Sequence, residues 1–216
     1  MSQSYAGMRS MGELKGMDTS LNYAPVLATT NTNIGILSVN LIQAGTGSWN
    51  RVGRKVCMKS LRLQGNASCD HFLTAGSDYE GNILRVIVVW DKQPSGGSEP
   101  LFNDIFGVTS QAGAETAAWF SPPKYDTMMR FTVVKEFQIV SNSDTSLGGG
   151  NYQKQEYYID TYIRLPDIET NYSGQSSPMT IADINSGALY VIAPEKNDAT
   201  ATLWNLTLNA RLRYTD

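Results

Sequence analysis

Trp204-Asn205-Leu206-Thr207-Leu208-Asn209-Ala210-Arg211-Leu212-Arg213-Tyr214 decides the fold. Apolar residues occupy every second position and polar ones the positions between. Side chains alternate across a strand with period two, so this stretch is a β-strand with one face in a core and the other in solvent. Upstream, residues 153–165 repeat the pattern: Tyr157, Ile159, Thr161, Ile163 and Leu165 share one face, with Lys154, Glu156, Asp160 and Arg164 on the other. Ile83–Asp91 is apolar at both parities, which marks a central strand covered on both sides.

Further strands follow at Ile34–Ile42, at 54–65, at Phe131–Val134 with Phe137–Val140, and at 188–193. The 54–65 strand changes parity: Val56 and Met58 share one face, Leu61 and Leu63 the other, and a bulge near Lys59-Ser60 reconciles them. The connections are unequal. Residues 92–127 form one long connection, Ser141–Gly150 a glycine-rich hinge and Asn171–Pro178 another loop. No amphipathic helix and no fixed-period repeat stands out, which excludes propellers and solenoids. The expectation is an all-β single jelly-roll sandwich, eight strands in two four-stranded antiparallel sheets. Residues 1–32 read as an extended N-terminal arm and 33–216 as the jelly-roll domain.

Charge is unevenly distributed. Residues 1–69 hold Arg9, Lys15, Arg51, Arg54, Lys55, Lys59 and Arg62 against Glu13 and Asp18, and no carboxylate lies between Asp18 and Asp70. Such asymmetry points to a polyanionic partner for one face. In a jelly roll the last strand neighbours the basic one, so Arg211 and Arg213 should sit near Lys59 and Arg62 as a cationic strip free of local carboxylates. The expected nucleic-acid-binding set is Trp49, Arg51, Arg54, Lys55, Lys59, Arg62, Arg211 and Arg213, acting on phosphates by counterion release, with Trp49 offering a ring to bases. Trp119, Phe120, Phe102 and Phe106, in the long connection, are the expected subunit contacts.

Catalysis finds little support. The single histidine, His71, lies in Cys69-Asp70-His71, and neighbouring side chains on a strand point apart. Asp78 and Glu80 read as a solvated loop, and Gly148-Gly149-Gly150 lacks the Lys-Ser/Thr of a phosphate loop. No catalytic residue, metal or cofactor is expected. Cys57 and Cys69 are too few for a disulfide scaffold and read as free thiols. No apolar run approaches the ~20 residues that cross a bilayer, and no signal-peptide segment is apparent. Membrane insertion is therefore not expected.

Four landmarks carry a family resemblance: Gly12-Glu13-Leu14-Lys15-Gly16-Met17-Asp18-Thr19; Arg51-Val52-Gly53-Arg54-Lys55-Val56; Arg85–Val89 running into Trp90-Asp91-Lys92-Gln93-Pro94; and Arg130-Phe131-Thr132-Val133-Val134 with the terminal Arg211–Asp216. In order and spacing they resemble the capsid proteins of eukaryotic circular single-stranded DNA viruses, the circovirus-like and geminivirus-like group. That resemblance implies a jelly roll whose first strand starts at Arg51–Val56. It implies self-assembly into an icosahedral, 60-subunit T=1 shell, packaging of circular single-stranded DNA, residence in the virion and assembly in the host nucleus. One departure stands out: members of the group usually begin with a strongly arginine-rich arm, whereas residues 1–32 hold only Arg9 and Lys15. The alternatives are an RNA-virus capsid protein and a non-viral carbohydrate-binding or cytokine-like sandwich.

Overall fold

A computed structural model describes residues 13–23, 26–27, 36–71, 83–94, 97–109, 115–116, 118–141, 153–196 and 204–216. The strands are β1 (Lys15–Tyr23), β2 (Val26–Leu27), β3 (Ile36–Ser38), β4 (Lys55–His71), β5 (Ile83–Asp91), β6 (Val108–Thr109), β7 (Glu115–Thr116), β8 (Phe131–Val140), β9 (Gln153–Tyr172), β10 (Ile184–Ser186), β11 (Ala188–Ile192), β12 (Pro194–Glu195) and β13 (Trp204–Thr215). A one-turn helix, α1 (Phe102–Ile105), and a 3-10 turn at Ile181–Asp183 complete the described elements.

Two sheets face each other. One runs β1-β13-β4-β9, with short β10 at its far edge. The other runs β3-β11-β5-β8. Here β12 continues along the β11 side of β5, and β2 continues along β12. Eight principal strands in two sheets of four, with the chain crossing between sheets at each step except β5 to β8, is jelly-roll topology. The fold matches the sequence expectation, and its starting point does not. β1 pairs with β13 from Lys15↔Tyr214 to Tyr23↔Leu206, so the first strand of the roll lies inside the stretch read as an arm. The Arg51–Val56 segment leads into the third principal strand, not the first. Residues 1–12 lie outside the described residues.

The parity slip in β4 is the expected bulge. Ser60 faces Arg213 and Met58 faces Tyr214, which leaves Lys59 extra. On the other side Ser60 faces Arg164 and Met58 faces Ile168, so the β9 segment around Pro166 is looped out as well. Proline, lacking an N–H, fits where ladder bonds are interrupted. β8 is one strand with a register shift at Val88/Val89 of its partner, which explains its two-part pattern.

The sandwich is filled from both sheets. Leu206, Leu208, Ala210 and Leu212 of β13 meet Val86, Val88, Leu189 and Val191 of the other sheet in one buried cluster. Gly187 has φ +80°, and a Cβ there would strike the Glu169 carbonyl, so only glycine fits the turn between β10 and β11.

The two sheets differ on their outer faces. β5 is buried along nearly its whole length. Residues 97–109 and 118–130 wrap the outside of this sheet: Ser38 Oγ donates to Glu99 Oε1 at 3.1 Å on β3, and Arg85 Nη1 donates to the Trp119 and Ser121 carbonyls at 3.0 and 2.9 Å. Phe102 and Phe106 stack at 5.0 Å and are fully buried, with Arg85 over the Phe106 ring. The outer face of β1-β13-β4-β9 has no such cover among the described residues.

Candidate nucleic-acid interface

The open face is set by register. Across the sheet, Asp18, Arg211, Arg62 and Tyr162 form one row. The next row is Gly16, Arg213, Ser60 and Arg164, and the row on the other side is Ser20, Asn209, Gln64 and Asp160. A shallow depression of about 500 Å³ lies among Ser60, Arg62, Asp160, Tyr162, Arg211 and Arg213. A second opening beside it is lined by Leu14, Lys15, Gly16, Asp18, Arg211 and Arg213.

The structure brings Arg62, Arg211 and Arg213 together, as the adjacency of the first basic and last strands suggested. It corrects the idea that no carboxylate neutralises them. Arg62 Nε and Nη2 donate to Asp160 at 2.9 and 2.7 Å. Arg211 Nε and Nη2 donate to Asp18, both at 2.7 Å. The hydrogen bond from Arg211 holds the Asp18 carboxyl below its usual range against the opposing effect of burial, and the Arg62 hydrogen bond does the same for Asp160. Arg213 makes no ion pair among the described residues, nor does Arg164, which sequence reasoning left out. Four guanidiniums against two carboxylates leave this part of the face positive.

The other expected residues fall elsewhere. Lys55 is exposed and pairs with Glu169 at 2.7 Å. Lys59, on the bulge, donates to Cys57 Sγ at 3.2 Å. Arg54 is exposed just before β4. Trp49 is exposed on a turn whose Ser48 carbonyl accepts from Gly16 N.

Arg51 is a correction. It is 1% exposed, donating to the Ile42, Gly53 and Gly174 carbonyls and lying 4.2 Å over the Tyr172 ring. A guanidinium with its donors spent on backbone carbonyls is a structural plug, out of reach of phosphate. Asn40 completes this plug, accepting from Tyr172 Oη through its carbonyl at 2.7 Å and from Leu189 N through Oδ1 at 3.0 Å. Phe102 and Phe106 are corrections too, because they are buried in the wrapping segment and cannot meet a neighbour. Phe120 is exposed and packs edge-on against half-buried Trp119. Tyr125, Met128 and Met129 add to that exposed apolar loop and were missed. The His71 side chain, Asp78, Glu80 and Gly148-Gly149-Gly150 lie outside the described residues. No group of metal-ligating side chains occurs among the described residues.

Two of the sequence landmarks meet in space. Arg130 Nε and Nη2 donate to the fully buried Asp91, both at 2.8 Å, tying the end of β5 to the start of β8. The family model for the geminivirus coat protein/nuclear export factor BR1 family matches residues 20–216, beginning inside β1 and taking in both sheets. The chain belongs to that family. It is a coat protein, a structural component of a virion that assembles with further copies of itself. A search of curated proteins found no match. Among solved structures, the unassembled KI polyomavirus VP1 pentamer aligns at 13% identity over 93% of this chain and 94% of that one, with a TM-score of 0.28. The jelly-roll assignment of this coat protein rests on its own strand order.

Proposed function

We propose that this coat protein builds a closed icosahedral shell of 60 copies around a circular single-stranded DNA genome, with the open face of β1-β13-β4-β9 turned toward the DNA. The observation that carries this reading is the positive, uncovered sheet face on a chain of a geminivirus coat protein family. Phosphates bind such a face without sequence reading, which suits a protein that must hold a whole genome. The exposed loop bearing Phe120, Tyr125, Met128 and Met129 supplies apolar surface for neighbouring subunits, and closed symmetry lets one repeated contact satisfy every copy. The role is structural rather than catalytic, and assembly takes place in the host nucleus.

Electron microscopy of the purified protein tests this reading, together with the ratio of nucleic-acid to protein absorbance in the particles. Uniform spheres carrying DNA are expected. A monodisperse monomer at high concentration across buffers and salts overturns it.

A further inference from the structure

We infer that the open sheet face selects single-stranded over double-stranded DNA, by stacking unpaired bases on Tyr158 and Tyr162 while Arg164 and Arg213 hold the phosphates. This rests on the reading that DNA meets this face, and it adds a mechanism of selection that charge alone does not give.

Tyr158 and Tyr162 are 75% and 61% exposed, in mid-strand on a sheet whose remaining outward residues are polar. Both project from β9 on the face that carries the arginines: Tyr162 is level with Arg62, and Tyr158 with Asn66. They stand four positions apart along the strand, roughly 13 Å. Neither ring is covered by another aromatic ring or a cation among the described residues. The nearest polar contact is Gln64 Nε2 at 3.5 Å from the Tyr158 hydroxyl. The π-faces are therefore available, and every base has a π-face to offer in return.

The phosphate partners follow by elimination within the face. Arg62 and Arg211 each present both donors of one guanidinium edge to a carboxylate. Arg213 and Arg164 flank Ser60 from the two strands on either side of β4, two strand spacings or roughly 10 Å apart at the backbone. Gly16, opposite Arg213, adds no side chain to that row. A planar guanidinium free of carboxylates is suited to bidentate contact with a phosphate. Arg164 lies one row from Tyr162, so a strand following β9 can place its backbone at the arginines and its bases over the tyrosines. A duplex keeps its base faces stacked inside and meets only the guanidiniums.

The test uses the full chain, with fluorescence anisotropy of a labelled oligothymidine and of a hairpin duplex. The double variant Tyr158→Ala/Tyr162→Ala should lose about tenfold in oligothymidine affinity per tyrosine and leave duplex binding unchanged. Tyr158→Phe/Tyr162→Phe, which keeps both rings, should bind like the parent. Arg164→Gln/Arg213→Gln should weaken both ligands and lower the single-strand salt slope by about 0.7 per lost contact. Parent-like oligothymidine binding by the alanine pair, alongside loss in the arginine pair, overturns stacking and leaves the DNA-facing reading intact. Unchanged binding in both pairs overturns both. Equal losses on single strand and duplex in the alanine pair also overturn selection by stacking.

Discussion

The two sheets of this sandwich share a core and treat their outer faces in opposite ways. β3-β11-β5-β8 is wrapped by residues 97–109 and 118–130, with Arg85 pinning the wrap through the Trp119 and Ser121 carbonyls. β1-β13-β4-β9 is left open among the described residues and carries arginines, asparagines and tyrosines. The difference is written in the strands. β5 is apolar at both parities because both its faces are covered, while β13 alternates strictly because only one is. A sheet covered by its own chain has its outer surface committed to folding, whereas a bare sheet has a surface free for a partner.

The comparison breaks most severely from the shared core. Trp204→Ala, at a fully buried position, should cost about 3–5 kcal/mol, and Leu206→Ala about 2–5 kcal/mol. Loss of soluble protein, or a lower denaturant midpoint where some remains, checks this. An assembling, stable Trp204→Ala chain would place the core on the other face of β13.

The wrap comes next. Arg85 is almost fully buried, donates to two loop carbonyls and pairs with Glu136 through Nε and Nη2 at 2.7 and 2.9 Å. Arg85→Gln should cost about 2–3 kcal/mol through lost charge-assisted hydrogen bonds and should open residues 118–130 to limited proteolysis first. Cleavage elsewhere at the parent rate, with the loop still protected, would show that the apolar contacts of Phe102 and Phe106 hold the wrap alone.

The open face sharpens the comparison with a smaller effect on folding. Arg62→Gln/Arg211→Gln/Arg213→Gln should reduce DNA in purified particles more than Arg54→Gln/Lys55→Gln/Lys59→Gln, although the number of charges removed is the same. The first set lies around one depression, and the second lies just before β4, at its first residue and on its bulge. Absorbance ratios of intact particles decide it. Equal losses would mean that total charge matters and the face does not.

Acid gives the smallest effect. The Asp18 and Asp160 carboxyls lie below their usual value in the folded chain. Their contribution to stability is therefore full above the unfolded value of about 3.8 and fades as pH falls through the lower folded values. Both are well exposed, so the change in stability should be slight. The change in charge is larger in effect: protonation releases Arg62 and Arg211, and the single-strand salt slope should steepen at a pH below that range. An unchanged slope would show that these two arginines stay out of reach of phosphate.

Much of this was legible in the chain. Period-two alternation located β13 and β9, the doubly apolar run located β5, and the parity slip located the bulge at Lys59. The first strand was missed because Lys15–Tyr23 is poor in β-branched residues and its partner is the last strand, a pairing with no local signal. The same distance hid the carboxylates. Asp18 is 193 residues from Arg211 and Asp160 is 98 from Arg62, so a carboxylate-free segment of sequence became a carboxylate-containing patch of surface. Arg51 looked like its basic neighbours, but its burial depends on Gly174 and Tyr172, which β9 brings back from far along the chain. Tyr158 and Tyr162 lay on a face already identified as polar, and aromatic residues there read as ordinary strand formers.

The pairing of β1 with β13 also sets a clock on synthesis. Lys15 Nζ and Asp216 Oδ2 sit 3.1 Å apart across a separation of 201 residues, and the ion pair closes the edge of the open sheet. A ribosome adds roughly 5–20 residues each second, so β1 waits many seconds with its edge bare before its partner exists. Through that interval β4 and β9 have no neighbour on the β13 side, and the face proposed to meet DNA is missing its centre. On that reading, a nascent chain gains its nucleic-acid face only once β13 has been made.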